Sequence, residues 1–409
     1  MQDAPLLSKR TKQFSTSGTA QARAAAKAAA EAGKEIIDLT AGEVWTAIPE
    51  SVREGAASAI RDGVSRYTDS IGLMALRMAI ADRLSEDSKQ TWSALEVAVT
   101  AGAKQALFNT AMVLFNPGDE IIIPKPYWTT FPAQVALTGA QSVFVDTSQS
   151  GYVPQPDAIR AKLSECTRAI IVNTPNNPTG AVFDAETLSA IADIALEHKL
   201  WIILDNCYAG FVYGAQRAEH FLSIAPQAKP RTIVVNAFSK QLCLTGWRLG
   251  YMAAPSTVIS AAKALQSHTT SNANVIAQYA VLRYLSDGSR DFESRLLNYL
   301  SQNRQLGLTI LGDLKFVPSP SAQGAFYFYL DLSELLSKSS GYPRNADEVA
   351  NQLIADAGVA TVPGSAFGDP TGLRLSYGVP PDLLERGLRL IVGTLNAYGQ
   401  DASPVEAAE

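Results

Sequence analysis

The sequence predicts an α/β fold: a mostly parallel sheet covered by helices on both faces, with a second, smaller α+β domain. Three observations predict it. A chain of 409 residues with 47% apolar content exceeds what a single hydrophobic core usually serves, so two domains are expected. Past Trp92, short β-branched apolar runs alternate with longer stretches of helical period, the pattern of strand–helix units. Near Asn274 that alternation gives way to long helical patterns.

Taken in order, residues 20–32 are Ala-rich with Arg23, Lys27 and Glu31 spaced along them, which reads as an exposed helix. Strands are expected at 96–100, 120–123, 142–145, 169–172, 201–204, 232–235 and 249–253. Helices are expected between them at 103–114, 129–137, 156–163 and 184–198. Strands that are almost continuously apolar, with helices between, imply a sheet buried on both faces. The stretch Asn116-Pro117-Gly118-Asp119 reads as a turn. After it, helices at 274–285, 291–311, 346–357 and 381–396 and strands at 325–330 and 373–376 complete the chain. The expected division is an arm joined to the small domain (1–46), a large domain (47–273), the small domain proper (274–398) and a tail (399–409). The tail, rich in Ala and acidic residues with Pro404, is expected to be disordered.

Composition narrows the chemistry. The formal charge is −5, from 34 basic and 39 acidic residues, so no basic excess points to nucleic acid. Cys166, Cys207 and Cys243 are too few for a disulfide framework. His198, His220 and His268 are too far apart for a zinc pattern. No apolar run of about 18 residues suggests a membrane span, and the start has no basic-then-apolar signal pattern. A cytoplasmic enzyme without metal is therefore expected, using an organic cofactor or ordinary acid–base side chains.

Ser239-Lys240 follows the strand expected at 232–235 and precedes Thr245-Gly246-Trp247-Arg248. Open α/β sheets bind ligands at the carboxyl ends of their strands. A desolvated lysine there is a candidate nucleophile, although a lone Ser-Lys is ordinarily a surface feature. Asp205 ends another strand and Tyr208 follows three residues later. That carboxylate could hold a ring nitrogen protonated, or simply cap a helix. Asn177, in Asn173-Thr174-Pro175-Asn176-Asn177-Pro178-Thr179-Gly180, lies in a stretch of strong turn formers. Gly102-Ala103-Lys104 sits at a strand-to-helix junction where backbone amides could meet an anion. Trp128, in Pro126-Tyr127-Trp128, could stack on a flat ring or fill a core.

Together these pieces resemble the fold-type I pyridoxal-phosphate enzymes of the class I/II aminotransferase group, over about residues 36–395. The asparagine loop, Asp-x-x-Tyr and Ser-Lys-x5-Gly-Trp-Arg occur in the family's order. Gly102–Phe108 and Pro126–Trp128 give the chain its likeness to bacterial aspartate/prephenate-type aminotransferases. The resemblance implies a seven-stranded, mostly parallel sheet, pyridoxal 5′-phosphate as cofactor, amino acid and 2-oxo acid substrates, and a homodimer with shared active sites. It implies that Lys240 is the Schiff-base lysine and proton shuttle, that Asp205 pairs with the ring nitrogen, and that Asn177 and Tyr208 bond the ring oxygen. Trp128 would stack on the ring. Arg248, Ser239 and the amides of Ala103 and Lys104 would hold the phosphate, with Tyr67 reaching the neighbouring subunit's phosphate. Arg374 would clamp the substrate carboxylate beside Gly42 and Asn177.

Three departures from the family's pattern bear on specificity. Ala237 stands where a phosphate-binding Ser is common. Gly42-Glu43-Val44-Trp45 replaces the usual Gly-Glu-Pro-Asp-Phe, so Trp45 either reshapes the pocket or packs the arm. Residues 267–272 contain no arginine for a distal carboxylate. Lys104 either replaces it or is a solvated lysine at a helix start. The donor is therefore expected to be aspartate- or glutamate-like, or aromatic. The same cofactor site could also serve an elimination, cyclisation or oxidation in secondary metabolism, and the fold also serves non-catalytic regulators.

Overall fold

The computed structural model describes residues 7–12, 16–214, 219–338 and 343–400. Its strands in chain order are β1 (Ile37–Asp38), β2 (Val97–Thr100), β3 (Glu120–Lys125), β4 (Gln141–Asp146), β5 (Thr167–Asn173) and β6 (Trp201–Asp205). They continue as β7 (Thr232–Ala237), β8 (Gly250–Ala253), β9 (Tyr327–Asp331), β10 (Val359–Ala360), β11 (Val362–Pro363) and β12 (Gly372–Ser376). The main sheet has seven strands in the order β2-β8-β7-β6-β5-β3-β4. Only β8 runs against its neighbours, as expected for a mostly parallel sheet. A three-stranded antiparallel sheet, β11-β12-β9, stands apart from it, and β1 pairs in parallel with β10.

The alternation of side chains along a strand divides the apolar residues between two layers. Ile171, Ile203, Ile233 and Val235 belong to one buried cluster. Ile170, Val172, Ile202, Leu204 and Val234 belong to the other. Burying each such aliphatic side chain is worth roughly 1.5–3 kcal/mol, which explains why the central strands carry no polar face. The edge strand β4, by contrast, exposes Gln141 and Phe144.

Several elements differ from expectation in their ends. Strands β3, β5, β6 and β7 run one or two residues further, because Lys125, Asn173, Asp205 and Ala237 still pair across the sheet. The helix expected at 156–163 is shorter, Pro156–Arg160. Lys162 and Leu163 instead bond the carbonyls three residues back, at 3.0 and 3.2 Å, tightening the turn. The strand expected from 325 starts at Tyr327, since Ala325 has φ +57°. The helix expected at 346–357 is Ala346–Gln352 followed by a π-turn, Leu353–Ala357. The last helix continues through Gln400, so the tail's first two residues are helical and 401–409 lie outside the described residues.

The helix read as exposed, Gly18–Glu31, buries Ala22 and Ala26 and packs against β10 and β11. Gly18 is required there, because a Cβ would lie 2.4 Å from that of Ala366. Helices Glu50–Arg61, Met74–Ser88 and Ser256–Ser267 were not anticipated. Their periodic faces, such as Leu76, Ile80 and Leu84, were present in the sequence. No helix among the described residues is long and apolar enough to cross a membrane.

Candidate active site

Because β2 is antiparallel to β8, and β8 to β7, β2 runs the same way as β5, β6 and β7. The carboxyl ends of all four therefore share one edge of the sheet. That edge, the start of the Gly18–Glu31 helix and β12 enclose a cavity of about 440 Å³. Gly42, Ala103, Lys104, Trp128, Asn177, Asp205, Tyr208, Ser239, Lys240, Arg248 and Arg374 all line it.

Lys240 lies in the single turn Phe238–Gln241 that follows β7. Its Nζ donates a hydrogen bond to the carbonyl of Gly42. Burial lowers its pKa to about 8; Arg374 and Arg248 push the same way while Cys207 and Glu43 oppose them. Gly42 leaves room for this, since a Cβ there would lie 3.0 Å from the Tyr327 hydroxyl and 3.9 Å from Nζ.

Asp205, 3% exposed, ends β6 opposite Asn173. Its Oδ1 accepts from the Cys207 amide at 3.1 Å. Burial raises its carboxyl pKa, against the pull of Cys207 and Lys240. A buried carboxyl so raised has its anion restored by an adjacent cation.

The loop after β5 is pinned by its own side chains. The Asn177 amide donates to Asn173 Oδ1 at 3.0 Å, and Thr179 bonds Asn176 Oδ1 through both N and Oγ1. Asn177 Oδ1 accepts from Arg374 Nη1 at 2.9 Å, which leaves the side-chain NH₂ to donate to a ligand. Arg374, 2% exposed, sits on β12 and also donates from Nη2 to the Thr40 carbonyl at 2.8 Å. Its guanidinium lies 4.4 Å from the Tyr327 ring centre and 5.0 Å from that of Phe367. Its buried Nε has no hydrogen-bond partner among the described residues.

Gly102 precedes the helix Ala103–Leu114 with φ +80°. A Cβ on it would lie 2.7 Å from Arg248 Nη2, so only glycine leaves the guanidinium its place. Arg248 donates to the carbonyls of Thr245 and Ala101 at 3.0 and 3.3 Å. The amides of Ala103 and Lys104 precede the first intrahelical bond, as the first amides of any helix do. With Arg248 and Ser239, which line the same cavity, they could meet an anion. Lys104 Nζ stands 5.3 Å from the Trp128 ring centre. Burial lowers its pKa and Arg248 adds to the effect.

These donors fit a flat ring bearing one phosphate. Ala103, Lys104, Ser239 and Arg248 could hold the anion, and Asp205 could face a protonated ring nitrogen. Asn177 and Tyr208 could reach a ring oxygen, and Trp128 a ring face. The Nε of Arg374, unpartnered among the described residues, could meet a second anion, since a buried charged donor without a partner is costly.

Other residues fall elsewhere. Tyr67, 89% exposed, lines a separate opening formed by residues 63–69, 72–74, 275 and 279. Trp45, 51% exposed, does not line the cavity; its amide bonds the Gly378 carbonyl at 2.8 Å. Residues 267–272 also lie outside it, with Thr270 accepting from Gln105. Sequence reasoning missed Tyr327, whose hydroxyl is 2.8 Å from that of Tyr208. It also missed Glu43, which accepts from Arg23 and from Thr245, both at 2.9 Å. These partners are 20 to 202 residues apart in sequence, so no local motif signals them.

The sequence pattern of the family "Aminotransferase class I and II" matches residues 34–391. A probable aspartate/prephenate aminotransferase of Aquifex aeolicus is 36% identical over 387 residues, covering 94% of this chain and 97% of that protein. The aspartate/prephenate aminotransferase of Thermus thermophilus is 36% identical over 93% of this chain and 97% of its own. Among solved structures, the Thermus thermophilus aspartate aminotransferase with maleate superposes with a TM-score of 0.89 at 33% identity, covering 95% of this chain and all of that one. The aspartate aminotransferase of Rhizobium meliloti gives 0.90 at 31% identity, covering 96% and 99%. The chain belongs to the class I and II aminotransferases of fold type I, pyridoxal-phosphate enzymes that move an amino group between an amino acid and a 2-oxo acid.

Proposed function

We propose that this aminotransferase takes its amino group from a dicarboxylic amino acid of the aspartate or glutamate kind. The observation that carries this reading is Lys104. Its ammonium lines the cavity above Trp128 and has no ion-pair partner among the described residues. Aspartate is also the substrate named for the relatives above.

The cofactor, when bound, supplies the carbonyl carbon that accepts the amine and the ring that takes up the electron pair released at substrate Cα. The chain supplies the rest. Arg374 binds the α-carboxylate and fixes the orientation of Cα. Lys240 Nζ, its pKa lowered to about 8 by burial, removes the Cα proton and holds it within the cavity. Asp205 keeps its charge beside the ring nitrogen, while Asn177 and Tyr208 donate to the ring oxygen. Arg248, Ser239 and the amides of Ala103 and Lys104 anchor the phosphate. Lys104 receives the distal carboxylate, and Gly42 leaves the space in which substrate sits.

The same reading makes the enzyme a cytoplasmic homodimer in which Tyr67 reaches the partner's phosphate; its exposure outside its own cavity supports this. Light scattering tests it. It also divides the chain near residues 46 and 273, an assignment supported by the pairing of β1 with β10.

The test of the reaction is a single half-reaction without acceptor. Mixed with excess aspartate, the holoenzyme should release one equivalent of 2-oxo acid per site and lose its visible band. Continuous release of ammonia would refute the reading. So would equal rates with aspartate and a donor of similar size lacking the distal carboxylate.

A further inference from the structure

Tyr327 joins two parts of the site. Its hydroxyl is 2.8 Å from the Tyr208 hydroxyl, and its ring carries the Arg374 guanidinium at 4.4 Å. It is wholly buried within the protein yet lines the cavity. A Cβ on Gly42 would approach its hydroxyl to 3.0 Å, so the glycine keeps that hydroxyl's place clear.

Each phenol has one proton to give and an oxygen that can accept. Either tyrosine can donate in the pair as it stands. If Tyr208 turns its proton to a cofactor oxygen, the bond between the phenols requires Tyr327 to donate. Bonds in such a chain polarise one another. The ring of Tyr327 acts separately, because Arg374 rests on its face by a cation–π contact.

We propose that Tyr327 is a positioning residue for both substrate and cofactor. Its hydroxyl directs the Tyr208 proton to the cofactor's ring oxygen, and its ring seats Arg374 for the substrate carboxylate. This rests on the roles given above to Tyr208 and Arg374. Donation to the ring oxygen withdraws charge from it, so the adjacent nitrogen of the lysine-bound cofactor loses its proton at lower pH. Weakening the donation raises that midpoint.

The experiment titrates the visible absorbance of the holoenzyme against pH and measures KM for the amino donor. Tyr327→Phe, which keeps the ring, should raise the midpoint by roughly 0.2–0.6 pH unit and leave KM within about twofold. Tyr327→Leu, which loses hydroxyl and ring, should raise the midpoint similarly and raise KM by about 3- to 30-fold. Tyr208→Phe should give a larger midpoint shift than either. If Tyr208→Phe shifts the midpoint and Tyr327→Phe does not, the relay is overturned while the role of Tyr208 stands. If Tyr208→Phe shifts nothing, both fall. If KM is the same for Phe and Leu at 327, the seating of Arg374 is overturned.

Discussion

The floor and the rim of the cavity are held in different ways. On the floor, Asp205, Asn177 and Tyr208 are buried at the ends of strands or in loops fixed to them. Their bonds run to backbone amides and to neighbours that are buried as well. On the rim, Glu43 holds Arg23 of the Gly18–Glu31 helix and Thr245 through side-chain oxygens alone. In the Arg23–Glu43 pair Arg23 is largely open to solvent and Glu43 partly so, and such surface ion pairs contribute about 0–1 kcal/mol. The floor is therefore fixed by the fold, and the rim is held by weaker bonds between side chains.

Substitutions on the two regions should differ in kind as well as size. Lys240→Ala should abolish the visible cofactor band and lower turnover by about 10⁴-fold or more, read by absorbance and steady-state rates. Arg374→Ala should retain cofactor yet raise KM for the amino donor by about 10²–10³-fold, the loss of a bidentate charged pair. An unchanged KM would place the carboxylate elsewhere. Lys104→Ala, at the border of floor and rim, should raise KM by about 10-fold for dicarboxylic donors only. An equal rise for all donors would make it a phosphate anchor instead. Glu43→Gln should change kcat/KM by less than about fivefold. A loss as large as that of Arg374→Ala would remove the distinction between the regions.

The same division explains what was legible in the sequence. Floor residues follow apolar strands within a few positions: Asp205 ends β6, Asn177 follows β5 and Lys240 follows β7. Strand ends gather at one edge of a parallel sheet, so short motifs suffice to bring these residues together. Tyr327 read only as part of a strand, because its partners Tyr208 and Arg374 lie on other elements. The pairing of Glu43 with Arg23 and Thr245 depends on how the first helix lies against β10 and β11, which no local pattern records. Trp45, conspicuous as a departure from the family's pattern, does not line the cavity. Strand ends shifted where Asn173 and Asp205 kept pairing beyond the apolar run.

Burial lowers the Lys240 pKa to about 8, which is what makes it the reactive amine of the proposed mechanism. The direct measurement is borohydride trapping of cofactor on the apoenzyme across pH, followed by peptide mapping. A lysine with its ordinary pKa of 10.5 would react increasingly up to that pH, whereas burial brings Lys240 down to about 8. Its neutral, nucleophilic form then predominates above about pH 8. The expected result is a label confined to Lys240, with capture rising through about pH 8 and levelling above it. A label on another lysine, or a midpoint near 10.5, would contradict the account.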